Sequence, residues 1–183
     1  MCLWACNRCA RIEPSGVFLN KAEQSFLDWR GAVAIQKLFE RVENSRKLVL
    51  ESAANLDRES FLSRQKGMSS IRDLLVHLMD AEDYWVGSVI LGEKRQKFLP
   101  EKYESASALR ANWDGIRERT RSLLSDISEG RVSENTSVRR EGEATFDVGT
   151  VFLHLFAHEF HHFGQICLLM RQEGHEPPRL DLL

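Results

Sequence analysis

Four of the six histidines of this 183-residue chain fall within nine residues near its C-terminal end: His154, His158, His161 and His162. In a helix, residues four apart are offset by only about 40° and rise about 6 Å, so His158 and His162 can direct their imidazoles at one metal ion. Imidazole nitrogens are common ligands of divalent transition metals. The spacing therefore predicts a metal site on this helix.

A third ligand has to come from another element. His77 lies on the apolar side of a second predicted helix, where an unpaired buried imidazole is costly and a metal ion would satisfy one of its nitrogens. Three protein nitrogens leave a fourth position open for water or substrate, as in catalytic rather than structural metal sites. The ligands that we predict are therefore His77, His158 and His162.

The other two clustered histidines have different expected roles. His154 competes with His162 as the partner of His158, but 154 and 162 lie about 12 Å apart along the axis, too far to share one ion. We favour His162 because Gly164, just after it, would let another helix approach closely. The role of His154, as a supporting residue or an alternative ligand, stays open. His161 points about 100° away and is expected at the surface or in an interface.

The stretch from His158 to His162 also matches H-E-x-x-H, the zinc-protease signature in which the glutamate is the general base. The longer form of that signature fails, because Gln165 and Leu168 stand where its glycine and third histidine belong. No strand series precedes the helix to bind an extended substrate. These departures argue against a protease.

Three further polar side chains could support a metal-centred reaction. Asp73, four residues before His77, and Glu159 are candidate acid–base or ligand-orienting carboxylates, and exposure to solvent is the alternative for each. Tyr84 could line the pocket or pack in the core as an amphipathic residue. The sequence singles out no catalytic base, so the catalytic residues are unknown at this stage.

Helical periodicity identifies the elements that carry these residues. The second predicted helix, with the isolated histidine, opens at Ser69 or Ser70, either of which can cap it, and ends at Gly92. The histidine-rich fourth helix spans about 148–172 and stops at Gly174. Because it is apolar on several sides, we expect it to be the most buried helix.

Two more helices complete the pattern. The third starts near Ser105 or Ser107, and its charged face is expected in solvent. A shorter helix from Asn20 precedes the first long one, and Gly31 offers a break between them. The apolar stripes are Ile35, Leu38, Phe39, Val42, Val49, Ala53 and Leu56 in the first long helix, and Leu109, Trp113, Ile116, Thr120, Leu123 and Ile127 in the third.

The connection between the third and fourth helices, residues 128–147, has no helical period. We predict a long loop there, with residues 135–142 extended or forming a hairpin beside the helices. Four long helices without a strand series predict an all-α four-helix bundle, whose facing helices can place ligands in the core. We divide the chain into an N-terminal extension, residues 1–31, partly disordered or a short helix, and a bundle domain, residues 32–183.

Composition excludes several classes of protein. The chain is 43% apolar and 28% charged, which fits one soluble globular domain. Its net charge of −2 lacks the basic excess of nucleic-acid binders. Charges interrupt every apolar stretch, so no membrane span is expected, and the first residues do not resemble a secretory signal. We therefore predict a cytoplasmic protein that binds neither nucleic acid nor membranes.

Three of the four cysteines lie in the first nine residues. Cys2, Cys6 and Cys9 have the C-x3-C-x2-C spacing with which radical enzymes hold an iron–sulfur cluster. Such a motif normally follows a strand of a large α/β barrel, and we do not expect that context here. We interpret the segment as part of the N-terminal extension. Cys167, inside a helical apolar pattern, is expected to act as a small buried hydrophobe.

Three segments carry a family resemblance. Residues 70–78 with Ala81, Glu82 and Trp85, residues 154–166 with the pattern H-x3-H-x-G-Q, and the tail 174–181 resemble the DinB/YfiT-like superfamily. The resemblance extends over residues 33–183 and departs at Phe163, where many members carry arginine. It implies a four-helix bundle, often a homodimer, with nickel or zinc as the usual metal. The ligands that it implies are His77, His158 and His162.

The resemblance and the histidines lead to one main hypothesis and one alternative. The main hypothesis is a metal-dependent hydrolase or thiol-dependent S-transferase with a three-histidine divalent-metal centre. It would act on a small-molecule substrate, with a low-molecular-weight thiol as a candidate cosubstrate. The alternative is a non-catalytic metal-binding stress-response protein whose ion stiffens the bundle.

Overall fold

Four long helices, with one short helix and one antiparallel hairpin, build the described part of the chain. The computed structural model describes residues 21–64, 67–127, 135–140 and 142–181. The elements are α1 (Lys21–Ala54), α2 (Arg58–Leu62), α3 (Ile71–Glu82), a π-helix (Asp83–Ile90), a 3-10 turn (Pro100–Lys102), α4 (Ala106–Ser125), β1 (Asn135–Arg140), β2 (Gly142–Asp147) and α5 (Val148–Gln172). The predicted four-helix bundle is confirmed. Cys2, Cys6, Cys9 and the cap at Asn20 lie outside the described residues.

Side-chain caps start helices α3, α4 and α5. The Ser70 hydroxyl accepts a hydrogen bond from the Asp73 N–H at 3.1 Å, and Ser105 caps α4 in the same way. The Asp147 carboxylate accepts from the Thr150 N–H at 2.7 Å and opens α5. Each such cap typically contributes about 1 kcal/mol by pairing an N–H that the helix leaves unsatisfied. The predicted starts of these helices are confirmed.

Helix α1 is longer than the sequence indicated. We expected a short helix and a break at Gly31, but the helix passes through this residue from Lys21 to Ala54. A glycine in a helix costs only about 1 kcal/mol relative to alanine. Packing just beyond it compensates, since Ala32 and Ile35 are buried in the core. The division of the chain at residues 31 and 32 stays a prediction.

The helix that carries His77 changes its winding at Glu82. Its last eight residues, Asp83–Ile90, form a π-helix. Gly92, just beyond the end of this π-helix, has a left-handed backbone conformation with φ +70°. A π-turn holds more residues than an α-turn and rotates the following side chains to a new face. Trp85 thereby faces α5 and contacts the ring of His154, with centroids 5.4 Å apart.

The long connection between α4 and α5 contains a hairpin. Strands β1 and β2 pair antiparallel from Asn135 opposite Asp147 to Arg140 opposite Gly142. The hairpin was one of the two conformations that the sequence left open for this segment. Strand β2 leads directly into α5, so the loop ends where the histidine-rich helix begins.

The core consists of two apolar clusters along the bundle. One is centred on Leu75, Trp113 and Phe163, and the other on Val42 and Phe152. Helix α5, which we expected to be the most buried helix, contacts both α1 and α3, and one side of it is exposed, where Leu153 and Leu168 are 53% and 46% exposed. Among the described residues, none of the helices is both long and apolar enough to cross a membrane.

Candidate metal centre

Two packed helices bring the three predicted ligands together. Helix α3 carries His77 at its middle and lies against the middle of α5, which carries His158 and His162. The Nε2 atom of His158 lies 3.1 Å from Nε2 of His77 and 3.1 Å from Nε2 of His162. The rings stand edge to face, with centroids 4.5 to 4.9 Å apart. One ligand atom from each ring lies within 4.8 Å of the other two, so the cluster could hold a metal ion.

The cluster is open to solvent on one side. His77 is exposed, whereas His158 and His162 are partly buried. We expected His77 to face the core, and this was wrong: the buried side of α3 is formed by Leu74, Leu75 and neighbouring apolar residues, and His77 lies at its edge, next to α5. The exposure of His77 places this edge of the cluster at the surface of the bundle.

Hydrogen bonding determines which nitrogen of His162 carries the proton. Its Nδ1 lies 2.6 Å from Oε1 of Gln165, which accepts a hydrogen bond from it. In the same amide orientation, the Gln165 amide nitrogen lies 3.3 Å from Nε2 of His161 and donates to it. In the neutral imidazole, Nε2 of His162 is therefore left unprotonated, with its lone pair directed at the cluster.

The donor set fits a divalent cation. Nε2 of His158 has two nitrogen neighbours at 3.1 Å, but a single ring nitrogen can pair with only one of them by a hydrogen bond. Around a tetrahedral ion with metal–nitrogen bonds of about 2.0–2.1 Å, ligand nitrogens lie about 3.3 Å apart. The observed spacing is close to that value, and a cation would satisfy all three nitrogens at once.

The imidazoles are in the protonation state that metal binding needs. Burial, together with the neighbouring rings of His162, His77, His154 and His161, lowers the pKa of His158 to about 3. Burial also lowers the pKa of His162. Because the folded pKa lies below the ordinary value of about 6.5, this neutral His158 favours folding above that pH and the contribution is lost as the pH falls toward 3. At neutral pH the ligands need not lose a proton first.

The remaining clustered histidines flank this centre. The His154 ring stacks on His158, with centroids 5.7 Å apart and planes 22° from parallel, but it is not part of the three-nitrogen cluster. His161 is exposed, as expected. The reason for favouring His162 was wrong, however. Gly164 is exposed, and within the described part of the chain no atom of another helix lies within 4 Å of the position that a Cβ would occupy there.

Glu159, the glutamate of the H-E-x-x-H match, is buried in the core, 6% exposed. Its Oε1 accepts a hydrogen bond at 2.5 Å from Nη2 of Arg117, which is itself 2% exposed. The expected alternative of a solvent-exposed acid is therefore wrong, because an ion pair stabilises this carboxylate inside the bundle. The same pairing occupies the carboxylate that a zinc protease would use as its base.

A second buried carboxylate shares this guanidinium. Glu82 lies 3.4 Å from Arg117, and it accepts hydrogen bonds at 2.6 Å from both the Trp113 indole and the Thr120 hydroxyl. A cavity of about 10 Å³ lies between this network and His158. That volume has room for about one water molecule, so it is too small for a substrate.

Asp73 and Tyr84 are also bound to other partners. The Asp73 carboxylate accepts hydrogen bonds from Arg64 at 2.5 Å and from Arg72 at 3.1 Å. Burial opposes its ionisation, but these hydrogen bonds outweigh burial and hold the pKa of Asp73 below its ordinary value. The Arg95 guanidinium lies 4.6 Å from the centre of the Tyr84 ring. The structure therefore gives Asp73 and Tyr84 structural contacts rather than contacts to the three imidazoles.

Two residues of the site region were missed from sequence. Gln165 was noted as part of a motif, but its position three residues after His162 places it on the same helix face and could have indicated its role. Arg117 was not singled out, because the charged residues of α4 were expected in solvent, yet it is fully buried. Its neighbours Ile116 and Thr120 belong to the apolar stripe, and no sequence signal distinguishes it from an exposed arginine.

Replacing Gln165 with leucine should weaken metal binding by roughly 10- to 100-fold, the usual effect of losing a partner that orients a ligand histidine. Gln165→Glu keeps an acceptor for the Nδ1 proton and should bind the metal at least as tightly as the natural protein. Competition titration of zinc against a chromophoric chelator at pH 7 measures both. Equal weakening in the two variants would show that Gln165 acts only through packing.

Sequence and fold both have counterparts among known proteins. The sequence model of the DinB family matches residues 25–183. A DinB-like protein from Bacillus cereus ATCC 10987 has a similar fold, with TM-score 0.55 and 17% identity over 87% of this chain and 97% of that one. YfiT from Bacillus subtilis, described as a probable metal-dependent hydrolase with an unusual four-helix bundle topology, gives TM-score 0.51 and 13% identity over 92% and 97%. No curated protein matches the sequence.

Proposed function

This chain belongs to the DinB family, and from that premise we propose that it is a metal-dependent enzyme with a divalent ion held by His77, His158 and His162. The observation that carries the proposal is the convergence of nitrogens from three imidazoles, of which that of His77 belongs to an exposed residue. A structural metal site is normally closed by four protein ligands. Three imidazoles with an accessible fourth direction favour an ion that acts on a substrate.

The donor chemistry indicates which ions the centre would take. Imidazole ligands suit zinc, nickel, copper and iron, and we propose zinc or nickel, as the family resemblance implies. A bound ion would polarise a substrate or lower the pKa of a water or thiol toward neutrality. The side chains supply the rest: Gln165 orients His162, and burial keeps His158 neutral.

The substrate would bind on the open side of the centre. The cavity behind His158 has room for only about one water molecule. Next to the centre, the exposed ring of His154 contacts Trp85 and stacks on His158, so these rings form an aromatic surface beside the three imidazoles. A small molecule can pack against this surface while its reacting atom approaches the centre.

We propose a hydrolase or a thiol-dependent S-transferase as the reaction class. YfiT, which shares the fold, is described as a probable metal-dependent hydrolase. Glu159 and Asp73 are both engaged by arginines, so neither is available to take a proton from the nucleophile. Both reaction classes fit such a site, because a nucleophile with a lowered pKa, water or a low-molecular-weight thiol, needs no strong protein base.

The test is turnover by metal-reconstituted protein. Metal-depleted protein is reloaded with zinc or with nickel and assayed against ester and amide substrates, and against electrophiles with common cellular thiols. We expect turnover that requires the metal and is lost in His77→Ala, while His175→Ala, a histidine on the C-terminal tail that contacts Ser60, stays active. An ion that stabilises the fold but exchanges no water, binds no small anion and supports no turnover would favour the non-catalytic metal-binding protein instead.

A further inference from the structure

A small cavity lies between the metal centre and the charged residues of the core. Its volume is about 10 Å³, and its lining includes His158, Glu159 and Arg117 besides apolar side chains of α3 and α5. Glu159 and Arg117 are buried, at 6% and 2% exposed. A cavity of this size holds one water molecule when about two to four polar groups can pair with it. The hydrogen bonds that these three side chains still lack therefore determine what occupies the cavity.

Two of the three side chains have hydrogen-bonding capacity that the described residues do not use. Within that part of the chain, Nε of Arg117 has no hydrogen-bond partner, and the Glu159 carboxylate accepts from Arg117 through Oε1, which leaves Oε2 available. Buried polar groups are normally paired with protein atoms or with ordered water, because an unpaired one is costly. One water molecule can accept from the Arg117 N–H and donate to Oε2 of Glu159.

His158 supplies the third polar group. Both of its hydrogen-bond contacts within the described chain are made by Nε2, to His77 and His162. The two nitrogens of an imidazole point in nearly opposite directions, so Nδ1 of His158 is directed away from the other two rings. A ligand histidine almost always donates its second N–H to a carboxylate, a carbonyl or a water. Water in the cavity would meet this requirement for His158, as the Gln165 amide does for His162.

The tautomer of His158 must change when a metal ion binds, and only water can pair with both forms. Nε2 of His162 carries no proton, because its Nδ1–H donates to Gln165. Without an ion, Nε2 of His158 therefore donates to His162, and Nδ1 of His158 is an acceptor. With an ion bound, Nε2 must be unprotonated and Nδ1 becomes a donor. Water both donates and accepts, whereas a carboxylate only accepts.

We propose that one buried water molecule in this cavity joins Nδ1 of His158 to the Glu159 carboxylate, and that Glu159, held by Arg117, is thereby a positioning residue for this metal ligand. The positioning role rests on the proposed metal centre. Through the water, the imidazole is fixed at both of its nitrogens, and a negative charge near Nδ1–H makes the ligand more basic. Glu159 itself contacts neither the ion nor the substrate.

The water is tested by NMR of the full chain with 15N-labelled histidine, with and without zinc. In the zinc-loaded protein we expect the proton of His158 on Nδ1, in slow exchange with solvent and with a nuclear Overhauser contact to a bound water. In the metal-free protein the proton should lie on Nε2, and the water should still contact the methyl group of Thr120, which also lines the cavity. A dry cavity in both forms would overturn the proposal.

Zinc affinity tests whether Glu159 positions the ligand. Glu159→Met removes the acceptor and should weaken zinc binding by roughly 10- to 100-fold, the usual effect of losing a partner that orients a ligand histidine. Glu159→Gln keeps an oxygen that accepts from the water and should recover most of that affinity. The matched control is Trp113→Phe, which removes an N–H that donates to Glu82 at 2.6 Å but changes no residue of the cavity lining. It should leave zinc affinity unchanged.

The outcomes separate this inference from the proposed function. Equal weakening in Glu159→Met and Trp113→Phe would show that the charged network acts only through stability, and unchanged affinity in Glu159→Met would show that it does not act on the ligand; either result overturns the positioning role. Thermal melting checks that the variants fold, and if Glu159→Met does not, the NMR contacts of the natural protein decide. A natural protein that binds no zinc refutes the proposed function and the positioning role together, whereas the water is still detected in the metal-free spectra.

Discussion

Replacing His158 with alanine should abolish metal binding at neutral pH. His158 is the shared member of the cluster, since Nε2 of His77 and Nε2 of His162 both lie 3.1 Å from its own Nε2. Loss of a residue that only orients a ligand already costs roughly 10- to 100-fold in affinity, so loss of this ligand should cost more than about 100-fold. Isothermal titration with zinc and with nickel measures the change.

The other histidines provide the controls for this result. His77→Ala and His162→Ala should lose the ion as well, whereas His161→Ala should keep it, because the His161 nitrogen contacts Gln165 and not the centre. His154→Ala should also keep the ion, since its ring stacks on His158 from the side. Retention of the metal by His158→Ala, or its loss in His154→Ala, would show that the ligand set is different.

Much of the site was predictable, because helix geometry converts sequence spacing into distance. The spacing of four residues brings Nε2 of His162 to 3.1 Å from Nε2 of His158. The isolated histidine on the facing helix, His77, completes the group, with its Nε2 also 3.1 Å from that of His158. The exposure of His77 was not predictable. It depends on how α3 and α5 pack side by side, and the apolar pattern around His77 gives only its approximate face.

In the fold too, the features that depend on local sequence were predictable, and those that depend on packing were not. Caps and apolar periodicity predicted the starts of α3, α4 and α5, since both are local properties of the chain. The continuity of α1 through Gly31 and the π-helix after Glu82 depend on packing that local preferences do not describe. One contact at the start of the π-helix is long-range: the carboxylate of buried Asp83 accepts a hydrogen bond at 2.5 Å from Arg119, 36 positions away in the sequence.

Charged residues in the core were the largest failure of sequence reasoning. Arg117 and Glu159 are 42 positions apart, and each alone has the features of an exposed helix residue. Their burial follows only from the meeting of α4, α5 and α3, which places Glu82 beside both. Because a buried ion pair is stable only when complete, this network should be sensitive to the loss of one member.

Replacing Arg117 with methionine should lower the free energy of unfolding by about 3–5 kcal/mol, the usual cost of leaving buried charges without their partner. The variant would leave Glu82 and Glu159, which are 4% and 6% exposed, without the guanidinium between them. Urea unfolding at pH 7 measures the loss. The matched control is Arg110→Met on the same helix, whose 45% exposed side chain pairs with Asp114 and should contribute less than about 1 kcal/mol.

Neutralising one carboxylate should recover part of this loss. Glu159→Gln in the Arg117→Met background replaces one of the two carboxyl groups left without the guanidinium by an amide that cannot ionise, so the double variant should be more stable than Arg117→Met alone. The pH dependence gives an independent test. Burial raises the pKa of Glu159 from 4.5 to about 7 even though Arg117 opposes this rise. Between about pH 4.5 and pH 7, the folded state therefore binds this proton more readily than the unfolded state.

Stability from this carboxyl is therefore present at low pH and is lost as the pH rises through that window. Without Arg117 the folded pKa of Glu159 should rise further, because an attractive positive charge has been removed. The destabilisation caused by Arg117→Met should then be larger at pH 8 than at pH 5, and Glu159→Gln should remove most of that difference. A loss that is equal at both pH values would mean that methionine disturbs packing and that the carboxylates find other partners, such as Arg46, which is also buried beside Trp113.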